Sequence, residues 1–194
     1  MNDNLFSGRL VRLSAFDLEI YPKTLSRWMR DSETWRLQDS YPPHPITSRQ
    51  IKEGKEKYLD KQRLDEIPFA IHTLADDRLI GDIGLGGIRW NHGDAFVGIG
   101  IGERELWGKG FGSDAMWVLL RYAFMELNLH RVSLTVFEYN PRAIRSYEKC
   151  GFQVEGRNRK LLNRAGRRWD EIYMGILREE WQQRNPPVAS GPPN

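Results

Sequence analysis

The sequence predicts one mixed α/β (α+β) domain, a mostly antiparallel sheet flanked by helices, and three observations carry that reading. Runs rich in Ile, Val and Phe at 68–74, 79–90 and 94–101 are separated only by turn-forming stretches, which describes an antiparallel meander. From there to residue 150 the apolar spacing switches between strand and helix periods, giving strand, helix, strand, helix. Then NRAG at 163–166 separates two strand-like runs, 152–162 and 167–177, as the turn of a closing hairpin. A length of 194 residues with 40% hydrophobic content suits one core. The expected domain is 1–184, with NPPVASGPPN (185–194) a disordered tail.

Taken in order, residues 8–13 read as a short strand, and Asp17 is placed to cap a helix reaching Arg30. The Pro-rich loop 41–45 interrupts it, and Thr47 or Ser48 opens a second helix running to about Arg63. After the meander, Ala115, Leu119, Leu120, Ala123 and Phe124 recur at helical spacing within 112–127. Residues 131–137 (RVSLTVF) alternate as a strand, and a further helix begins at Asn140-Pro141 and ends at Cys150-Gly151. No repeat is present.

Composition narrows the function classes. A net charge of +3 is too small for wholesale nucleic-acid binding, so a DNA-binding role is not expected. No apolar run approaches the roughly 20 residues that cross a bilayer. A single cysteine and a start, MNDNLFSGRL, without the pattern of a secretory signal point to the cytoplasm. The cluster Arg157, Arg159, Lys160, Arg164, Arg167 and Arg168 on the hairpin reads first as solvated strand edges, and secondly as an RNA or ribosome contact.

The stretch ELWGKGFGSDAM (105–116) carries the chemistry. Bare backbone at Gly108, Gly110 and Gly112, leading straight into a helix, offers closely approachable N–H groups and a positive dipole end, a nest for phosphate. The Walker pattern fails because Gly110 follows Lys109, and the dinucleotide fingerprint fails because the third glycine comes one position early. What the stretch resembles is motif A of the GNAT superfamily of N-acetyltransferases, its Gln/Arg-x-x-Gly-x-Gly/Ala pattern falling on Trp107, Gly110 and Gly112. Trp107 departs from the usual first letter. NPRAIRSYEKCGF (140–152) resembles the same family's motif B, the likeness spans about residues 8–180, and the Trp-Gly-Lys-Gly run also resembles the subgroup of ribosomal-protein and diamine acetyltransferases.

The resemblance implies a fold with splayed central strands and a coenzyme-binding strand-loop-helix. It also implies direct transfer of acetyl from acetyl-CoA to a primary amine, a polyamine or a protein N-terminus, with no metal. The implied coenzyme contacts are Ile99, Ile101, Trp107, Gly108, Lys109, Gly110, Phe111, Gly112, Ser113, Asn140, Arg145 and Tyr147, with Arg142 a further partner for the 3′-phosphate. Tyr147 is the family-matched donor to the leaving thiolate; its phenol, with an ordinary pKa of about 10, enters neutral. The amine needs a base. Where diamine acetylating relatives carry Glu after the strand's first Ala, this chain has Phe96, so Asp82 is the first candidate, with Glu103 and His72 behind it. Asp31, Glu33 and Asp39 are candidate acidic walls for a cationic acceptor. Cys150 is a rival nucleophile, with no nearby His in the chain to activate it. A homodimer follows from the habit of relatives. The competing reading is a non-catalytic acyl-CoA-binding or sensing module, which the Phe96 substitution keeps open.

Overall fold

A computed structural model describes residues 4–61 and 63–186. One sheet holds β1 (Val11–Ser14), β2 (Ile67–Thr73), β3 (Leu79–Arg89), β4 (Asp94–Ile101), β5 (Arg131–Phe137), β6 (Gln153–Arg164) and β7 (Arg167–Leu177), in the order β1-β2-β3-β4-β5-β7-β6. Every pairing is antiparallel except β4 with β5. The meander and the hairpin stand where the sequence pattern puts them. At the hairpin tip Ala165 and Gly166 have φ of 51° and 73°, the conformation that lets a two-residue turn follow the twist of its strands.

The described helices are α1 (Tyr21–Trp28), α2 (Ser32–Gln38), α3 (Ser48–Leu59), α4 (Phe111–Met125), α5 (Pro141–Cys150) and α6 (Arg178–Arg184). α4 is buried along most of its surface, Met116, Leu119, Leu120 and Phe124 meeting Ile83, Val97, Val132 and Met174 in one core. It therefore reads as apolar nearly all round, as a central helix does. Among the described residues no helix is long and apolar enough to cross a membrane.

Several elements differ from the sequence expectation, beginning with β1, which runs Val11–Ser14 rather than 8–13. The helix expected over 17–30 starts at Tyr21, because Asp17 spends its carboxylate on the amides of Glu19 and Ile20 in the preceding turn. Asp31 then caps a separate helix, α2, by accepting from Glu33 N at 3.0 Å, in a stretch expected to be loop. α3 opens with the Thr47–Gln50 capping box but stops at Leu59 rather than Arg63. α6 was not expected; Glu180 satisfies the Leu177 amide at its start. Most of the tail, 187–194, lies outside the described residues.

The crossover positions the site. β4 and β5 pair only at Asp94–Arg131, Ala95–Val132 and Phe96–Ser133, and beyond these pairs the strands part. Residues 97–101 of β4 and 134–137 of β5 thus face a gap in the middle of the sheet.

Candidate active site

The chain leaves β4 through a single 3₁₀ turn, Arg104–Leu106, and enters α4 at Phe111. Gly108 and Gly110, at φ 74° and 92°, hold a left-handed conformation that a side chain disfavours. Two amides of this loop turn inward, Trp107 N to Arg104 O and Lys109 N to Leu106 O. The amides of Gly108, Gly110, Phe111, Gly112 and Ser113 have no backbone acceptor among the described residues, and no side chain caps α4. They are the orphan donors of a helix start, reinforced by its dipole, and they suit a diphosphate. The groove above them, about 370 Å³, is bounded on the α5 side by Arg142, Arg145 and Lys149, cations that match an anionic ligand.

The sheet gap supplies a second set of donors. Gly102 N bonds Ile80 O, which sets the phase of the β3–β4 ladder. By the alternation of an antiparallel pair, Gly98 and Gly100 then face β3, while Ile99 and Ile101 turn their N–H and C=O groups toward the departed β5. The Ile101 carbonyl is satisfied by the indole of Trp107, Nε1 to O 2.7 Å, and the Arg142 guanidinium lies 3.9 Å above that ring. Trp107 thus closes the strand end with its side chain and serves the groove with its ring, its amide being engaged elsewhere.

α5 brings Asn140 and Tyr147 to the same place. Asn140, at 8% exposure, caps the helix through Oδ1 to Ala143 N at 3.2 Å, with Pro141 in the first turn. Tyr147 packs against the core and the Phe152 ring, and burial pushes its phenol up to about 12. It remains a proton donor at physiological pH.

A second cleft, about 610 Å³, shares Ile99, Gly100, Asn140 and Tyr147 with the first and continues between β3 and α1–α3. Asp82 lines it, on β3 opposite Gly100. Burial raises the Asp82 pKa above the ordinary carboxylate range, while the Lys55 ammonium and the Tyr21 phenol pull it back. Lys55 enters from α3 with its Nζ 3.6 Å from the Phe16 ring centroid, 4.9 Å from Tyr58 and 5.3 Å from Tyr21. Glu66 completes that wall and accepts from the Tyr58 hydroxyl.

With this geometry in view, comparison with known proteins is decisive. The family described as "Acetyltransferase (GNAT) domain" matches residues 10–153. The chain belongs to the GNAT acetyltransferase family. It is 32% identical over 152 residues, 78% of this chain and 82% of the relative, to the uncharacterized N-acetyltransferase YokL of Bacillus subtilis. It is 37% identical to the spermidine N(1)-acetyltransferase of Vibrio cholerae over 57% of this chain and 64% of that one. A solved structure of the Vibrio cholerae spermidine N-acetyltransferase with CoA and spermine superposes with a TM-score of 0.77 at 27% identity, over 88% of this chain and 97% of that chain. This GNAT protein is accordingly an acetyl-CoA-dependent N-acetyltransferase, and the non-catalytic reading is not favoured.

Of the coenzyme contacts expected in this acetyltransferase, Lys109 and Phe111 do not line the groove: the Phe111 ring packs on the core, although its amide is open to the loop. Ile99, Ile101, Trp107, Gly108, Gly110, Gly112, Ser113, Asn140, Arg145 and Tyr147 all line it. Among the candidate bases only Asp82 reaches the cleft. Glu103, at 4% exposure, is clasped by Arg27, by Arg78 at 2.7 Å and by the Trp28 indole at 3.0 Å. His72 bonds the Asp77 carbonyl away from it. The acidic walls divide likewise: Arg104 ion-pairs Asp31 and Glu33, leaving Asp39 on the cleft. Burial pushes the Cys150 thiol up to about 11, which removes its nucleophilic form. Several hairpin arginines are engaged internally, Arg164 with the Asp39 and Tyr41 carbonyls and Arg157 with Glu138 and Asp170. Among the described residues no three His, Cys, Asp or Glu side chains gather as a metal site.

Sequence reasoning missed Phe16, Tyr21, Lys55, Tyr58 and Glu66. Lys55 and Tyr58 carry a signal, being three apart on one helix face. The others meet only through the fold.

Proposed function

We propose that the chain acetylates a primary amine by direct attack on the thioester of acetyl-CoA, with Asp82 as the base and Tyr147 as the acid. The observation that carries the reading is the convergence of Asp82, Tyr147 and the open strand position Ile99 on one cleft. A thioester presents an acyl carbon whose oxygen gains charge as the amine attacks. The free amides of Ile99 and Ile101 supply donors for that oxygen. Asp82 takes a proton from the entering ammonium, directly or through a water; its raised pKa makes it a stronger base than an exposed carboxylate. As the C–N bond forms and the C–S bond breaks, the amine sheds its second proton to solvent and Tyr147 protonates the departing sulfur.

Asn140 holds α5 so that Tyr147 meets the gap, and the amides of 108 and 110–113 hold the diphosphate. The acceptor is a small amine or a protein N-terminus. The likeness to a spermidine acetyltransferase supports the former, and the 28% identity over 158 residues to a putative ribosomal N-acetyltransferase of Bacillus subtilis the latter. Thiol release from acetyl-CoA across a panel of amines and peptides tests the reading. Turnover that loses its acidic limb in Asp82→Asn supports it; an unchanged pH profile removes Asp82 from the mechanism.

A further inference from the structure

The acceptor side of the cleft ends in a box built for an alkylammonium, and the box is already filled. Three aromatic faces, Phe16, Tyr21 and Tyr58, surround the Lys55 Nζ. Two carboxylates, Asp82 and Glu66, supply the facing charge. That is the chemistry by which proteins recognise a ligand cation, here satisfied by a side chain tethered to α3. The carboxylates are also matched: Glu66 pairs with Arg63 at 2.9 Å and hydrogen-bonds Tyr58, and Asp82 faces Lys55 itself. Among the described residues the two carboxylates facing Lys55 are thus both engaged, Asp39 lying apart at the α2 end of the cleft, and Lys55 sits on the same cleft as Asp82 and Tyr147.

We infer that Lys55 is a specificity-determining residue, an internal cation holding the place of an acceptor's second ammonium, so that the enzyme takes amines with a single positive charge over diamines and polyamines. This rests on the amine-acetylating reading above and narrows it. A second ammonium entering this end meets a like charge within a few ångströms in a low-dielectric cleft, an interaction of the size that sets selectivity.

The test compares heptylamine with 1,6-diaminohexane, acceptors with the same number of chain atoms, by kcat/KM from thiol release with the full chain and with Lys55→Gln and Lys55→Arg. The wild type is expected to prefer the monoamine by roughly tenfold or more, Arg to keep the preference, and Gln to abolish it through a gain on the diamine. A change in the basicity of Asp82 moves both acceptors together, so the ratio isolates the lost repulsion. A wild-type preference for the diamine, or a ratio within about twofold of wild type in Lys55→Gln, overturns the inference. If no amine is turned over, the transfer reading falls on its own. Calorimetric binding of the same two amines to the CoA-loaded proteins then decides the role of Lys55, a gain in diamine affinity in Lys55→Gln upholding it and no gain overturning it.

Discussion

The two sides of the cleft are made differently. The proposed coenzyme side is made of backbone: left-handed glycines, open amides and a strand that has lost its neighbour, with side chains serving mainly to close ends, as the Trp107 indole does for Ile101. The proposed acceptor side is made of side chains carried by α1–α3, the loops around them and β3, held by ion pairs such as Arg104 with Asp31 and Glu33, or Arg27 and Arg78 with Glu103. A backbone site tolerates change in surrounding residues and keeps one ligand. A side-chain site can change its selectivity through a single charge or contact.

The largest effect should come from chemistry where the two sides meet. Asp82→Asn is expected to lower kcat/KM by about 10²–10⁴ and to erase the rise of rate with pH, because burial raises the Asp82 pKa and the protonated form, inactive as a base, prevails below it. Tyr147→Phe should lower kcat by about 10²-fold while leaving the affinity for CoA almost unchanged. The wild type should show no alkaline loss from Tyr147 near neutrality, since its phenol is pushed up to about 12.

Gly110→Val probes the backbone side. Forcing a β-branched residue to φ 92° costs on the order of 1–3 kcal/mol, so the loop rearranges and CoA binding by calorimetry should weaken about 5- to 100-fold. If Gly110→Val instead spares CoA and alters amine selectivity, the division between the two sides is wrong. Glu103→Gln, which breaks a buried clasp behind the acceptor helices, should cost about 2 kcal/mol of stability in denaturant unfolding with little change in CoA affinity. Cys150→Ala should change kcat by less than about twofold, because burial pushes the thiol up to about 11 and keeps it in the protonated, weakly nucleophilic form.

The same division explains what could be read from the letters. β2–β5, α4 and α5 follow from periodicity and from caps such as Asn140-Pro141 and Gly151, because those segments bury continuous apolar faces. The conformation of the glycine loop was legible because left-handed backbone at Gly108 and Gly110 is one that glycine adopts most readily. α2 escaped notice because seven residues with one buried side chain, Thr34, carry no periodic signal. The fates of Asp31, Glu33 and Glu103 escaped too, since Arg104 lies 73 and 71 residues from the first two and Arg27 lies 76 residues from Glu103, while Arg78, the other partner of Glu103, reaches it from a different strand end; no local pattern crosses such distances. Asp82 could be named as a candidate, but the Lys55 and Tyr21 contacts that tune it come from two separate helices.

The account rests on five main-chain amides aimed at a diphosphate, and amide NMR shifts on titration with CoA read them directly. Gly108, Gly110, Phe111, Gly112 and Ser113 should move strongly, whereas Trp107 and Lys109, whose amides bond Arg104 and Leu106, should move less. Uniformly small shifts over 108–113 alongside saturable binding elsewhere would contradict it.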